Sequence, residues 1–171
     1  MITDKDIQNL IEAPKEIHKK EPKENYKVES NNKRCKLILS SVQMEDVTFE
    51  VFTRQNQTFI ENFSIGLRCK IPVLPYTITL IRYNGPHDSE KSIKKDNVKT
   101  GENHHPMPHI HRVTQAEVQT ENLKPPLKQI EITDKYNTFE DGFRTFLIDM
   151  NISNWNEYFP ELEQGSLFNG H

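Results

Sequence analysis

Apolar and polar residues alternate through the middle of the chain, and this period of two predicts β-strands. The alternation is clearest at Val47, Phe49 and Val51, which are separated by Thr48 and Glu50. Predicted strands cover residues 36–41, 47–51, 63–71, 76–83, 109–113 and 127–133. Because consecutive segments of the first four are joined by short turns, the pattern predicts an antiparallel meander of about five to six strands.

Helical spacing of apolar residues appears towards both ends of the chain. A short helix is predicted to begin at Thr3 and to end before Pro14. A second, amphipathic helix is predicted to begin at Thr138, where Asp141 completes a start similar to a capping box. Five apolar residues share one face of this helix: Phe139, Phe143, Phe146, Leu147 and Met150. A stripe of this kind is typical of a helix that packs on the core.

These elements predict a single α+β domain over residues 1–171, in which the C-terminal amphipathic helix packs on the meander sheet. We divide the chain into an N-terminal helix and charged linker (1–34), an α+β core (35–152) and an aromatic acidic tail (153–171). The Lys/Glu-rich segment 15–34 lacks apolar periodicity, so it is predicted to be a mobile link or a weak second helix. The tail is predicted to pack on the body, with a surface for a partner as the alternative.

The charge of the chain is small overall but uneven. The formal net charge is −3, which excludes a broad basic surface of the kind that drives nonspecific binding to nucleic acids. Segment 15–34 carries a net charge of +3, whereas residues 131–171 carry −6. This asymmetry is typical either of surfaces that steer a charged partner or of two ordinary solvated faces.

The cysteines and the N-terminus predict a cytoplasmic location. Cys35 and Cys69 both lie in strand-like segments, where small buried side chains are expected rather than a disulfide. The N-terminus has no long apolar segment, so neither a signal peptide nor a membrane span is predicted. The polar segment 88–103 is predicted to be a long loop.

The candidate chemistry lies in a histidine cluster between residues 87 and 111. It contains five of the seven histidines: His87, His104, His105, His109 and His111. If residues 109–113 form a strand, the side chains of His109 and His111 project from the same face. Pro106 and Pro108 hold the preceding backbone extended, which favours an approach of His104 or His105 to that pair.

This arrangement suits three kinds of chemistry. A divalent metal such as zinc would take His109 and His111, with a third ligand from His87, His104 or Asp88; no other cofactor is expected. Without a metal, His109 and His111 would act as general base and acid in RNA cleavage, assisted by His104 or His87, while Arg82 or Arg112 would stabilise the phosphate charge. Alternatively, the imidazoles and Arg112 line a recognition surface. A purely structural role also fits, in which the two histidines hydrogen-bond neighbouring carbonyl groups. The sequence has no strong zinc-binding or phosphate-loop signature.

The segment from Leu80 to His87, followed by a variable insert and then Pro108-His109-Ile110-His111, resembles small bacterial proteins from mobile elements and defence islands. It is similar to the TumE-type components of toxin–antitoxin pairs, and the similarity extends over roughly residues 36–152. The resemblance implies a role in bacterial genetic conflict and supplies no mechanism. The candidate binding residues are Arg82, Tyr83, His87, His105 and Arg112. The histidine-triad hydrolases have a third alternating histidine where this chain has Val113, which argues against that family.

The leading hypothesis is therefore a small cytoplasmic protein of bacterial genetic conflict that binds and blocks a macromolecular partner. Expected partners are a toxin, an antitoxin or a nucleic-acid-processing nuclease of a defence system, as in phage anti-defence; nucleic acid is a further candidate. The alternative is a histidine-dependent ribonuclease toxin, with or without a divalent metal. The sequence does not decide between an enzyme and a binding module.

Overall fold

The chain folds around one antiparallel sheet in the computed structural model, which describes residues 1–23, 26–87, 107–120 and 129–164. The strands lie in the order β1-β3-β4-β5-β6-β7-β8, and β2 pairs with β3 as well. Their bounds are β1 Glu16–Glu21, β2 Lys27–Glu29, β3 Asn32–Ser40, β4 Thr48–Asn56, β5 Phe63–Lys70, β6 Ile78–Asn84, β7 His109–Arg112 and β8 Gln129–Ile132. The predicted α+β class and antiparallel pairing are confirmed, whereas the predicted number of strands was too low.

The additional strands come from segment 15–34, which is not the mobile link that was predicted. β1 pairs with β3 along its length, and Ile17 lies opposite Leu39. Ile17 is the only fully buried side chain of β1, so the strand has no apolar alternation for a sequence pattern to detect. Charged side chains instead face one another across the strands, as where Lys36 lies 3.5 Å from Glu21 and 3.9 Å from Glu50.

Five helices follow or flank the strands within the described residues. They are α1 Asp4–Glu12, α2 Gln115–Gln119, α3 Phe139–Asp149, α4 Trp155–Tyr158 and α5 Glu161–Gln164. The hydroxyl groups of Thr3 and Thr138 accept hydrogen bonds from backbone amides in the first turns of α1 and α3, as predicted. Within the described residues, no helix is both long and apolar enough to cross a membrane.

The helices contribute to a core on one face of the sheet. The aromatic stripe of α3 supplies Phe143 and Phe146, and the Phe146 ring meets the edge of the Tyr83 ring at a centroid distance of 5.1 Å. Phe159 packs on Phe143 with ring centroids 4.9 Å apart, so the described part of the tail packs on the body as predicted. Both free cysteines are buried, which confirms their predicted role as small core residues.

The side chain of Lys15 binds the C-terminal ends of two helices. Its side chain is 1% exposed, and its ammonium donates to the carbonyl groups of Ile11, Ala13 and Met150 at 2.8, 2.7 and 3.3 Å. These are carbonyls at the C-terminal ends of α1 and α3, which lack partners within their own helices. Burial lowers the pKa of Lys15 to about 8.

Candidate functional site

The opposite face of the sheet is strongly basic. Strand residues alternate between faces, so the even-numbered residues of β3, β4 and β5 project away from the helices. Along β3 to β7, this face carries one acidic residue, Glu50, against six basic ones: Arg34, Lys36, Arg54, Arg68, Lys70 and Arg82. Three of the six are paired with carboxylates: Arg34 with Glu29 at 3.8 Å, Lys36 with Glu21 at 3.5 Å, and Arg68 with Glu50 at 3.4 Å. We call this surface the basic face.

Two cross-strand rows organise the basic face. In the first row, Phe52 lies opposite Gly66, Gly66 opposite Arg82, and Arg82 opposite His111. In the second row, which runs parallel to it, successive partners are Arg34, Arg54, Ser64, Asn84 and His109. Side chains that are direct partners across strands lie close together. The register therefore places Arg82 of β6 directly beside His111 of β7, while Arg54 of β4 lies in the same row as His109 with β5 and β6 between them.

Gly66 makes room for the central aromatic residue of this face. A Cβ atom at position 66 would lie 2.3 Å from the Phe52 ring and 3.1 Å from Cγ of Arg82. The Phe52 ring thus occupies the space that a side chain of residue 66 would take. The Arg68 guanidinium lies over this ring at 4.1 Å from its centroid, which is a cation–π contact.

Three half-buried guanidinium groups cluster around this ring. Arg54 donates to the side-chain oxygens of Asn32 at 3.0 Å and Asn62 at 2.8 Å, which fix its orientation. Burial, followed by the charges of Arg54 and Arg68, lowers the pKa of Arg82. Nε of Arg82 is buried and has no hydrogen-bond partner within the described part of the chain. An anion bound here would offset both the mutual repulsion and the incomplete hydrogen bonding.

His109 and His111 project side by side from β7, as predicted. Their ring centroids are 4.9 Å apart, and the His87 ring lies 5.0 Å from that of His109. Both side chains are buried, at 0% and 4% exposure, whereas the metal, acid–base and recognition roles considered for them all require access from solvent. Nδ1 of His109 is 2.9 Å from the carbonyl oxygen of Met107. The pair is thus a packed part of the sheet at the border of the basic face.

Close backbone contacts hold the histidines in this position. The hydroxyl of Tyr136 reaches from the helix-covered face to the carbonyl oxygens of Asn84 and His109, each at 3.0 Å, at the place where β6 meets β7. Gly85 follows β6 directly, and a Cβ atom there would lie only 1.9 Å from the carbonyl oxygen of Glu61. A glycine at position 85 therefore allows the chain to turn closely past Glu61 and to place His87 beside His109.

Tyr83 and Arg112, two of the predicted binding residues, lie on the opposite face. Tyr83 stacks on Tyr136 with centroids 5.4 Å apart and hydrogen-bonds Asp149, while Arg112 donates to Oε1 of Gln8 on α1 at 2.9 Å. Neighbouring residues of a strand point to opposite faces, so Tyr83 is separated from Arg82, and Arg112 from His111. His104, His105, Asp88 and the loop over 88–103 lie outside the described residues.

The metal hypothesis stays a prediction. Within residues 1–23, 26–87, 107–120 and 129–164, no group of three or more His, Cys, Asp or Glu side chains is arranged to hold a metal ion. The proposed set of His109 and His111 with His104 or Asp88 includes residues outside these ranges.

Sequence analysis missed Phe52, Arg54, Gly66 and Arg68 as functional candidates. The alternation of apolar and polar residues does show that Arg54 of β4 and Arg68 of β5 take outward positions. Their proximity to Arg82 follows only from strand register, which the alternation does not fix.

Comparison of the chain with protein-family models, with curated proteins and with solved structures gives no match in any of the three.

Proposed function

We propose that this chain is a binding protein that binds and blocks a macromolecular partner through the basic face. The observation that carries the proposal is the cluster of Arg54, Arg68 and Arg82 around the Phe52 ring, with Glu50 as the one acidic side chain along β3 to β7 on that face. Arginine and aromatic residues are enriched in interfaces, because they combine a large contact area with directed hydrogen bonds.

Binding fits this geometry better than catalysis does. A catalytic acid or base must come within hydrogen-bonding distance of the group that reacts, and His109 and His111 are buried. The guanidinium groups are only half-buried, and they project from a sheet surface rather than from a deep pocket. A partner can therefore contact Arg54, Arg68 and Arg82 without rearrangement of the sheet.

We propose further that this binding takes place in a bacterial genetic conflict. The resemblance of segments 80–87 and 108–111 to proteins of mobile elements, defence islands and toxin–antitoxin pairs supports this setting. The partner would then be a toxin, an antitoxin, a defence nuclease or the nucleic acid on which such proteins act. Blocking one of these partners requires occupancy of its surface and no chemical step.

The test is capture of partners from the bacterial host with the full-length tagged chain. The variant is Arg68→Gln with Arg82→Gln, and its control is Lys5→Gln with Lys33→Gln, which removes the same charge from exposed lysines outside the basic face. We expect a stoichiometric partner with the wild-type chain and the control, and about tenfold less with the arginine variant. Recovery of no such partner, or equal recovery with all three chains, would overturn the proposal.

The contact between three imidazoles supports a second candidate, the histidine-dependent ribonuclease. The rings of His87, His109 and His111 lie in a row with centroid distances of 5.0 and 4.9 Å. Replacement of His109 and His111 by Gln preserves much of the side-chain volume and removes acid–base chemistry. If this variant loses RNA cleavage but retains its melting temperature and its captured partner, the catalytic candidate is correct.

A further inference from the structure

The central strands of the sheet restrict how a partner can bind the basic face. Arg54, Arg68 and Arg82 lie on β4, β5 and β6, each of which pairs with a strand on both sides. The backbone groups there are engaged in the sheet, so a peptide cannot bind by adding a strand. A partner must instead make its contacts with side chains that project from the sheet.

Those side chains offer two kinds of contact. Guanidinium groups bind phosphate oxygens through paired N–H groups, and Arg54 is already oriented for this by Asn32 and Asn62. Arg68 offers something different, because its guanidinium lies over the Phe52 ring at 4.1 Å from the centroid, its charge is paired with Glu50 at 3.4 Å, and its side chain is 43% exposed. The exposed side of this guanidinium is thus available to stack against a flat, polarisable group.

Phosphates joined to exposed flat rings are the chemistry of a single-stranded nucleic acid. Its unpaired bases stack on aromatic rings and on arginine planes, while its backbone phosphates pair with basic side chains. A duplex keeps its bases stacked on each other, so it would engage only the phosphate-binding groups. An acidic peptide would pair with the arginines but would have no use for the stack of Phe52 and Arg68.

We infer that the basic face binds a single-stranded nucleic acid, with phosphates at Arg54 and Arg82 and a base stacked on Arg68. The inference rests on the proposed function and names the partner class of the same surface. Gly66 leaves the space that the Phe52 ring occupies, and this ring contacts the Arg68 guanidinium on which the base would stack.

The test is fluorescence anisotropy with the full chain and labelled oligonucleotides of uridine or deoxythymidine, each about 12 nucleotides long, within the span that small domains cover. A duplex of the same length is the third probe. We expect the wild-type chain to bind at least one single strand more tightly than the duplex.

Arg68→Gln with Arg82→Gln should weaken this binding by about tenfold or more, whereas Lys5→Gln with Lys33→Gln should stay within about twofold. Arg68→Lys retains the charge but not the plane, so it should weaken single-strand binding more than duplex binding.

Melting curves of all variants show whether a loss of binding reflects unfolding, and Arg68→Lys keeps the test meaningful if the double variant unfolds. Failure of both single strands to bind, or equal binding by the wild type and a folded arginine variant, would overturn the inference. If host capture still requires the arginines in that case, the partner is an acidic protein and only the nucleic-acid inference fails. If host capture fails while the oligonucleotides bind through Arg68 and Arg82, the inference is upheld and the conflict role is removed.

Discussion

At the scale of single residues, the structure places ionisable side chains where the sequence gives no warning of burial. Lys15 belongs to a Lys/Glu-rich segment, yet its ammonium is enclosed by three carbonyl groups and lies 4.9 Å from the centroid of the Phe49 ring. The long aliphatic stem of lysine can reach a helix end from a neighbouring strand, and no residue pattern marks which lysine does so. Its contacts can therefore only be read from the fold.

The burial of Lys15 predicts a dependence of stability on pH. Its pKa falls from 10.5 to about 8 on folding, so between these values the unfolded chain binds more protons than the native chain. The contribution of Lys15 to the free energy of unfolding should therefore rise with pH across this window, by up to about 3 kcal/mol, whereas the buried thiols of Cys35 and Cys69, whose pKa values burial raises, contribute with the opposite sign. Urea unfolding at pH 8 and pH 10.5 measures this as a difference: the change between the two pH values should be more positive in the wild type and in the exposed control Lys5→Met than in Lys15→Met. An equal change with pH in the wild type and Lys15→Met would contradict the assignment, because other titrating groups are common to both.

Burial of the paired histidines predicts a structural cost for their removal. His109→Ala with His111→Ala deletes two side chains that are almost fully enclosed, so it should lower the free energy of unfolding by about 2 kcal/mol or more. His18→Ala removes an exposed imidazole and serves as the control, with an expected cost of about 0.5 kcal/mol. Chemical denaturation measures both. A double variant as stable as the control would mean that the two rings are exposed in solution.

At the scale of elements, the sequence predicts those strands whose outward side chains are polar and whose inward side chains are apolar. β4 and β5 satisfy this condition. The helices α1 and α3 were likewise predicted, because each has a threonine cap and buries one apolar face. β2 has no buried residue in its three positions, and its pairing with β3 depends on the turn that joins them. Local pattern therefore reveals elements that bury a face, but not short strands that are held mainly by backbone pairing.

Gly66→Ala tests how β5 supports the basic face. The added Cβ atom would displace the Phe52 ring, which is the outer end of a half-buried side chain, so the ring should swing away while the strands stay paired. We expect a loss of about 1–3 kcal/mol in stability. Because the Arg68 guanidinium rests on this ring, single-strand binding should weaken as well.

Gly142→Ala is the matched control for this change. A Cβ atom there would meet Phe63 and Tyr136 at 3.2 Å, on the helix-covered face, and alanine favours the helix. Its binding should equal that of the wild type. If Gly66→Ala binds the oligonucleotide as tightly as Gly142→Ala does, then the Phe52 ring does not support the stacking position.

At the scale of the whole molecule, a chain with a net negative charge has a basic face because the alternation of its strands places basic side chains of several strands on the same side of the sheet. The strands of Arg54, Arg68 and Arg82 are separated by turns in the sequence, and register alone aligns these residues. This explains why the histidine cluster was visible in the sequence while the arginine cluster was not: the former is local, and the latter combines three strands. A composition with net charge −3 likewise conceals a surface with six basic side chains and one acidic one along β3 to β7.

This sorting of charge predicts a limited dependence of oligonucleotide binding on salt. If Arg54 and Arg82 each neutralise about one phosphate, the logarithm of the association constant should fall with the logarithm of salt concentration with a slope of about −1.4. Arg68→Gln with Arg82→Gln should reduce the magnitude of the slope by about 0.7, because only Arg82 of these two contacts a phosphate, whereas Arg68→Lys should leave it unchanged and lower the affinity at every salt concentration. Anisotropy titrations over a series of salt concentrations measure both quantities. A slope that is the same in the wild type and the double glutamine variant would place the phosphate contacts elsewhere on the molecule, since the removed charges would then release no counterions.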